Sequence, residues 1–342
     1  MKEVAREART SISTVSNVVS GRRPVAPDTA LRVQLAMKKL RFRPNALAQS
    51  LRQNRSMCLG FVIPDLSNPF FAKLLIGAEE AARRKGYRGL ICSTSEIAKI
   101  QREAIEILES QRADGLLIAP APGSEGVVAQ LIDREMSFVL IDRYTGQAPI
   151  ASLVTSTNTE GARDAVDHLI DLGHTDIAIV IGSPEISTSR ERLEGYKQSL
   201  ASHEIPIREE LILQANTLED AKEQVTQLLS IQSQATAVFG TNNPRVIGAL
   251  IAIRELSLHC PNDISIVAFD SFDWVDAFIP PLTTVSQDPF QIGFKAATRL
   301  IKLLERTDAP ESLFVERIPT ELVLRDSTRS PRPYATPGGG SP

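Results

Sequence analysis

From Cys58 to about residue 325, short runs of consecutive apolar residues alternate with stretches whose apolar residues recur every three or four positions. The runs CLGFVI (58–63), GLIC (89–92), GLLIA (115–119), SFVLID (137–142), DIAIVIG (176–182), ATAVFG (235–240) and ISIVAF (264–269) predict buried strands. Stretches such as FFAKLLIGAEEAARRKG and TEGARDAVDHLIDLG predict amphipathic helices between them. Buried strands separated by helices imply parallel sheets covered on both faces. The pattern runs for about 270 residues, long for one sheet, so two lobes are predicted. Ligands bind such sheets beyond the C-terminal ends of the strands. Asp142 closes SFVLID and Asp270 follows ISIVAF, which puts a carboxylate at two such ends. Taken alone, each carboxylate is equally well read as a helix N-cap or a surface salt bridge.

The first 43 residues follow another pattern, three short helices. They span about Lys2–Ala8, the stretch TSISTVSNVVSG (10–21), and about Pro27–Leu40 with an apolar set of Leu31, Val33, Leu35 and Leu40. In the second helix Ile12, Val15, Val18 and Val19 share a face, and the other positions are Ser, Thr and Asn. Such short polar side chains are poor helix-interior residues, and they suit a face pressed against another surface. Two short helices with a tight turn, then a third, outline a helix-turn-helix whose second helix enters the major groove of DNA. The competing reading is a bundle helix that happens to be rich in Ser and Thr.

Charge strengthens the first reading. Residues 1–55 hold 12 Lys+Arg against 3 Asp+Glu, whereas the rest of the chain holds 26 against 38. A basic head on an acidic body points to a polyanion met by the head alone. After Pro44 a small amphipathic segment, NALAQSL, leads to the polar linker RQNRS, with Leu47 and Leu51 on one helical face. The end, STRSPRPYATPGGGSP, reads as a disordered tail over 326–342. Three separated cysteines, Cys58, Cys92 and Cys260, fit reduced thiols, and no apolar run approaches the roughly 20 residues needed to span a bilayer. The chain is expected to be cytoplasmic. Histidines 168, 174, 203 and 259 make no metal-ligand spacing, and no nucleophile or phosphate-loop motif is present, so neither enzyme chemistry, a metal nor a cofactor is expected.

These residues together resemble the lac repressor/galactose repressor family of bacterial transcription regulators. VAREARTSISTVSNVVSG is similar to its helix-turn-helix and RFRPNALAQSLRQNRS to its hinge helix. LGFVIPDLSNPFFAKLLIGAEEAARRKGY, LIDLGHTDIAIVIG, SRERLEGY and IPPLTTVSQDPFQIG match signatures of its ligand-binding core, in order. The resemblance implies an α/β fold: an all-α helix-turn-helix head and a two-lobed, periplasmic-binding-protein-like core of doubly wound parallel sheets. The expected division is 1–43 for the DNA-binding head and 44–57 for the hinge. The first lobe takes 58–156 with 287–308, the second takes 157–286 with 309–325.

In the head, Ser11 is the expected N-cap, Ile12, Ser13 and Asn17 point into the groove, and Thr14 and Ser16 bond phosphates. The resemblance makes Leu51 a wedge in the minor groove, with Asn45 and Ala48 beside it, whereas the residues alone also allow a linker helix packing Leu47 and Leu51 on its own core. It makes Arg192 and Asp270 the main polar contacts of an effector, a sugar or sugar derivative. Phe70, Phe71, Asp142, Arg143 and Asn242 stand at pocket positions, and Phe272 and Trp274 offer a stacking face. Three departures stand out. Arg9 occupies a turn where the family has Gly, and Asn17 stands where it often has Arg, which shifts base preference from guanine toward adenine. Thr217 replaces a pocket aromatic, which removes any borrowed ligand specificity. The family also places a capping Thr and an Ile ahead of its first helix, so residues preceding Met1 are expected to be missing here.

The implied partners are palindromic operator DNA, a small-molecule effector and a second copy of the chain. The stretch DAFIPPLTT, with Phe278 as anchor, is the expected dimer contact, and a Pro/Gly-rich tail argues for a dimer over a tetramer. The rival is a periplasmic-type solute-binding protein, which would carry a signal peptide and no basic head. A second rival, a sugar-modifying enzyme on a similar sheet, lacks a catalytic constellation.

Overall fold

The structure, a computed structural model, describes residues 1–20, 23–42, 55–230, 235–272, 275–305 and 313–331. The chain divides into two compact units, Met1–Met57 and Cys58–Pro342.

The first unit contains α1 (Lys2–Glu7), α2 (Ile12–Ser20) and α3 (Pro27–Lys39). Ser11 caps α2, its hydroxyl accepting the Thr14 N–H at 3.0 Å. Arg9, in the turn between α1 and α2, has φ +50°, the left-handed conformation that glycine adopts without strain. The small core joins Val4, Ala5, Ala8, Val15, Val33 and Ala36. Two apolar expectations fail here. Leu31 and Leu35 are 56% and 58% exposed, because a spacing of two cannot keep 31, 33 and 35 on one helical face; Val33 and Ala36 face the core instead. Ile12 leaves the face of Val15 and is 45% exposed. The hinge positions Asn45, Leu47, Ala48 and Leu51 lie outside the described residues, as does Trp274.

The second unit holds two six-stranded sheets. In chain order the first comprises β1 (Cys58–Ile63), β2 (Arg88–Ser93), β3 (Gly115–Ile118), β4 (Phe138–Ile141), β5 (Leu153–Ser156) and, much later, β11 (Val315–Ile318). Its spatial order is β2-β1-β3-β4-β5-β11, all parallel. The second sheet comprises β6 (Ile177–Ile181), β7 (Ile212–Gln214), β8 (Ala237–Gly240), β9 (Ser265–Phe269), β10 (Thr283–Ser286) and β12 (Glu321–Val323), in the order β7-β6-β8-β9-β10-β12. Only β12 runs antiparallel to its neighbour. The connecting helices are α4 (Pro69–Arg84), α5 (Ala98–Ser110), α6 (Glu125–Asp133), α7 (Asn158–Asp171), α8 (Ser187–Ser202), α9 (Leu218–Ser230), α10 (Asn243–Glu255) and α11 (Pro289–Glu305).

Strand order reverses between β1 and β3 in one sheet and between β6 and β8 in the other. In doubly wound sheets a crevice opens beyond the C-terminal ends of strands at such reversals. The loops after β1, β3, β6 and β8 therefore frame the site, before any side chain is considered.

Two expected boundaries need correction. The segment 309–325 does not belong wholly to the second lobe: β11 pairs in parallel with β5, Val315 opposite Leu153, so the chain returns to the second sheet only at β12. The two crossings are tied together, the Thr320 N–H donating to Thr157 Oγ1 at 2.9 Å. Residues 326–331 are not tail either. Ser327 is fully buried, its hydroxyl donating to the Ile266 carbonyl at 2.6 Å and accepting the Thr283 N–H at 2.8 Å. Those hydrogen bonds give a polar segment a reason to order that composition does not reveal.

Candidate effector cleft and DNA-facing helix

Between the two sheets lies a cavity of about 410 Å³, the size of a small-molecule site. Much of its wall comes from the loops singled out by the strand order: Asn68, Phe70 and Phe71 after β1, Pro122 after β3, Ser183, Thr188 and Ser189 after β6, and Thr241, Asn242 and Arg245 after β8. Asp142 and Arg143 after β4, Asp270 after β9 and Gln287 after β10 join them. Phe70 and Phe71 meet edge to face, ring centroids 5.2 Å apart, and supply an apolar wall. Their helix starts at Asn68, whose Oδ1 accepts the Phe70 N–H at 3.0 Å.

Asp142 and Asp270 both follow strand ends, both are buried, and both have positive φ, +66° and +91°. A non-glycine residue held there is strained, and such strain clusters at functional sites. The Asp270 carboxylate accepts from Gln287 Nε2 and from the Asn243 backbone N–H. Burial pushes its pKa up to about 6, against the opposing pull of Arg192. Burial also raises Asp142, with Arg143 and Arg192 opposing.

Arg192 is clamped. Its Nε and Nη2 donate to Asn158 Oδ1 at 3.0 and 2.8 Å, its Nη1 to the Thr241 carbonyl at 2.5 Å, and its guanidinium lies 3.7 Å from the centre of the Phe269 ring. Asn158 is held in turn, its Nδ2 donating to Glu191 Oε2 at 2.9 Å. Desolvation lowers the Arg192 pKa, yet a guanidinium so placed keeps its charge. Arg143 donates to the Pro120 carbonyl at 2.9 Å and pairs with Glu96 at 2.5 Å.

Hydrogen bonds cross the cleft from one sheet's loops to the other's. Asn243 Nδ2 donates to Asn68 Oδ1 at 3.2 Å, and Tyr144 and Ser187 exchange two bonds of 3.0 Å. Arg190 Nη2 donates to the Gly146 carbonyl at 2.6 Å.

The cavity thus brings together Phe70, Phe71, Asp142, Arg143, Arg192, Asn242 and Asp270. Asn242 also caps α10, its Oδ1 accepting the Arg245 N–H at 3.2 Å. Phe272 is a correction: it is 4% exposed and is not among the residues that line the cavity. Thr217 caps α9 through the Asp220 N–H and does not line the cavity, which Asn216 does. Sequence reasoning missed Arg245, Gln287, Thr188 and Ser189. All four sit just past strand ends or at helix starts, so the rule that ligands bind beyond the C-terminal ends of strands was the signal available for them.

In the head, Ser11, Ile12 and Ser13 are exposed and Thr14, Ser16 and Asn17 partly so, all on α2 or its cap. The Ser11 hydroxyl bonds those of Ser13 and Thr14 at 2.7 and 2.8 Å, so the first turn presents a linked set of hydroxyls. Elsewhere, Phe278 packs partly onto the core of the second sheet, while its neighbour Ile279 is 98% exposed. No group of His, Cys, Asp and Glu among the described residues could hold a metal ion. No helix among them is long and apolar enough to cross a membrane.

Comparison with known proteins agrees with both halves. Residues 1–45 match the family described as bacterial regulatory proteins, lacI family, and residues 166–328 match a periplasmic binding protein-like domain. The chain is 31% identical to the HTH-type transcriptional repressor PurR of Vibrio vulnificus (strain CMCP6) over 96% of its length and 98% of that protein's. It is 30% identical to the ribose operon repressor of Halalkalibacterium halodurans, covering 96% and 97%. The lac repressor dimer bound to operator and the anti-inducer ONPF is similar in structure, with a TM-score of 0.84 at 27% identity, over 95% of this chain and 98% of that one.

Proposed function

The chain belongs to the lacI family of bacterial regulatory proteins, and from that premise we propose which of its residues read DNA and which read the small molecule. It is a ligand-responsive, sequence-specific DNA-binding regulator of the repressor type. In our reading the α2 face of Ser11, Ile12, Ser13 and Asn17 meets base edges, and Thr14 and Ser16 meet phosphates. The hinge residues Asn45, Ala48 and Leu51 meet the minor groove. Phe70, Phe71, Asp142, Arg143, Arg192, Asn242 and Asp270 hold a polyhydroxylated, sugar-like effector. The proposed lobes are 58–156 with 287–318, and 157–286 with 319–331.

One observation carries the effector assignment. Two strained, buried aspartates and a clamped arginine converge on a cavity walled by two phenylalanines. A fold accepts buried charge of this kind where an incoming ligand's hydroxyls make use of it. Ligand contacts to loops of both sheets alter how the two sheets sit across the cleft, and a second copy of the chain turns that change into altered spacing of two DNA-binding heads.

The test begins with selection from random duplex DNA, which should enrich a two-fold symmetric sequence. Affinity for it should fall steeply with salt, as expected when several phosphates are neutralised. Asp270→Ala should keep that affinity and lose its response to effector. No enriched sequence, or a flat salt dependence, refutes the DNA-binding assignment.

A further inference from the structure

Three arginines line the cleft. Arg143 pairs with Glu96, and Arg192 lies in the field of Asp270 and Asp142 with all three of its nitrogens donating to the protein. Arg245 feels Glu96 and Asp270 as well, but among the described residues only its Nε has an acceptor. It stands in the first turn of α10, just past the end of β8, where the strand order of the second sheet reverses. Its Nε donates to the Ala215 carbonyl at 2.8 Å, which fixes the guanidinium plane. Among the described residues no carboxylate pairs with it, and its two Nη groups have no acceptor.

Its Nη2 lies over Gly182, just past the end of β6. A Cβ at Gly182 would stand 2.1 Å from Arg245 Nη2 and 2.9 Å from Ser189 Oγ, so guanidinium and hydroxyl come together where only glycine leaves room for them. Thr188 and Ser189 are buried in the first turn of α8, both line the cavity, and their hydroxyls have no hydrogen-bond partner among the described residues. Three side chains with donors to spare therefore line the cleft, Arg245 and Ser189 together at one corner of it.

Four of the five acidic residues of the same cavity are engaged elsewhere or exposed, and burial raises the pKa of the fifth, Asp142. Asp65 accepts from Ser67, Glu96 from Arg143, and Asp270 from Gln287 and the Asn243 N–H; Glu185 is exposed. Burial pulls the Arg245 pKa down to about 10, so its charge is poorly solvated as it stands, and an anion beside it would offset that cost.

We propose that Arg245, with the hydroxyls of Thr188 and Ser189, binds an anionic group of the effector, so that the small molecule is a sugar acid or a sugar phosphate. The fork of a guanidinium matches a carboxylate or phosphate through two parallel hydrogen bonds, and charge-assisted bonds of this kind are the strong ones. The remaining sugar hydroxyls fall to Asp270, Asp142 and Asn242, which line the same cavity. The inference rests on the cleft being the effector site.

Thermal shift of the full-length protein tests it at matched ionic strength, with inorganic phosphate as the minimal probe. D-gluconate is run beside D-glucose, and ribose 5-phosphate beside ribose. Phosphate should raise Tm. At least one sugar anion should do so at about a tenfold lower concentration than its neutral counterpart. Arg245→Gln should weaken both effects about tenfold or more, and Arg245→Lys should restore part of them, since a lysine keeps the charge without the fork. A shift that survives in Arg245→Gln comes from the basic head or another surface and overturns the proposal. A neutral sugar that binds as well as its anion, in parent and variant alike, overturns it while leaving the cleft assignment intact. Silence from every probe overturns it too, while selection of symmetric DNA still stands or falls separately.

Discussion

Asp270 is held at φ +91° with its carboxyl buried, and its pKa is raised from 3.8 to about 6. The folded state thus holds this proton more tightly than the unfolded chain does. The stability it contributes is fully present below pH 3.8 and is lost as pH rises through about 6. At pH 7.5 the charged carboxylate costs the ligand-free fold on the order of 2–3 kcal/mol, from a shift of about two pKa units. Asp270→Asn should therefore raise the Tm of the ligand-free protein at pH 7.5. The gain should shrink steadily as pH is lowered toward 4.5, while response to effector is lost. An unchanged or lower Tm at pH 7.5 would show that Asp270 is held there by structure and not by ligand. Both cleft aspartates were legible in the sequence because a buried strand announces its own end. Arg245 stood after an equally visible strand but carried no recognised motif. Phe272 was misread because the direction of a side chain in a loop depends on tertiary packing that no periodicity encodes.

The same limits act on whole elements. The seven strands made of consecutive apolar residues were legible, whereas β5, β7, β10, β11 and β12 are short and mix Thr, Gln, Glu or Arg among their apolar positions. Thr283 and Thr284 are fully buried, satisfied by bonds to Ser327, Arg325 and the β10–β12 ladder, and no local pattern marks such residues as core. Helix packing is equally nonlocal. Where α4 crosses α11, a Cβ on Gly77 would stand 2.0 Å from the Phe290 carbonyl oxygen, and one on Gly293 would stand 1.9 Å from that of Leu74. Backbone meets backbone there, so no rotamer can yield. Gly293→Ala should cost about 3 kcal/mol by forcing the helices apart, read as a lower denaturant midpoint with unchanged slope. The hinge lies outside the described residues, yet its wedge is open to test. Leu51→Ala should weaken specific DNA binding by about 2 kcal/mol through loss of the contact that offsets unstacking, with effector-induced thermal shifts preserved. Equal affinity and equal DNA bend in the variant would remove Leu51 from the interface.

At the scale of the whole molecule the question is how many copies act together. One helix-turn-helix contacts too little DNA for strong specificity, and two related by a two-fold axis read two half-sites. A two-fold interface must be self-complementary, so an apolar side chain standing free on the chain is the feature to look for. Phe278, the anchor suggested by the sequence, packs partly onto its own core. Ile279, beside it, is 98% exposed, the most exposed large apolar side chain among the described residues. We propose that Ile279 shares the dimer contact expected of DAFIPPLTT, beside a Phe278 that is partly packed onto its own core. Sedimentation at micromolar concentration should give about twice the chain mass of 37.4 kDa. Ile279→Asp should shift the protein toward monomer and weaken binding to symmetric DNA, with little change in the Tm of the core. Phe278→Asp should lower that Tm as well, because it also injures the second sheet's packing. A parent protein that sediments as a monomer while binding symmetric DNA tightly would refute the dimer, and dimerisation untouched by Ile279→Asp would move the interface to another face.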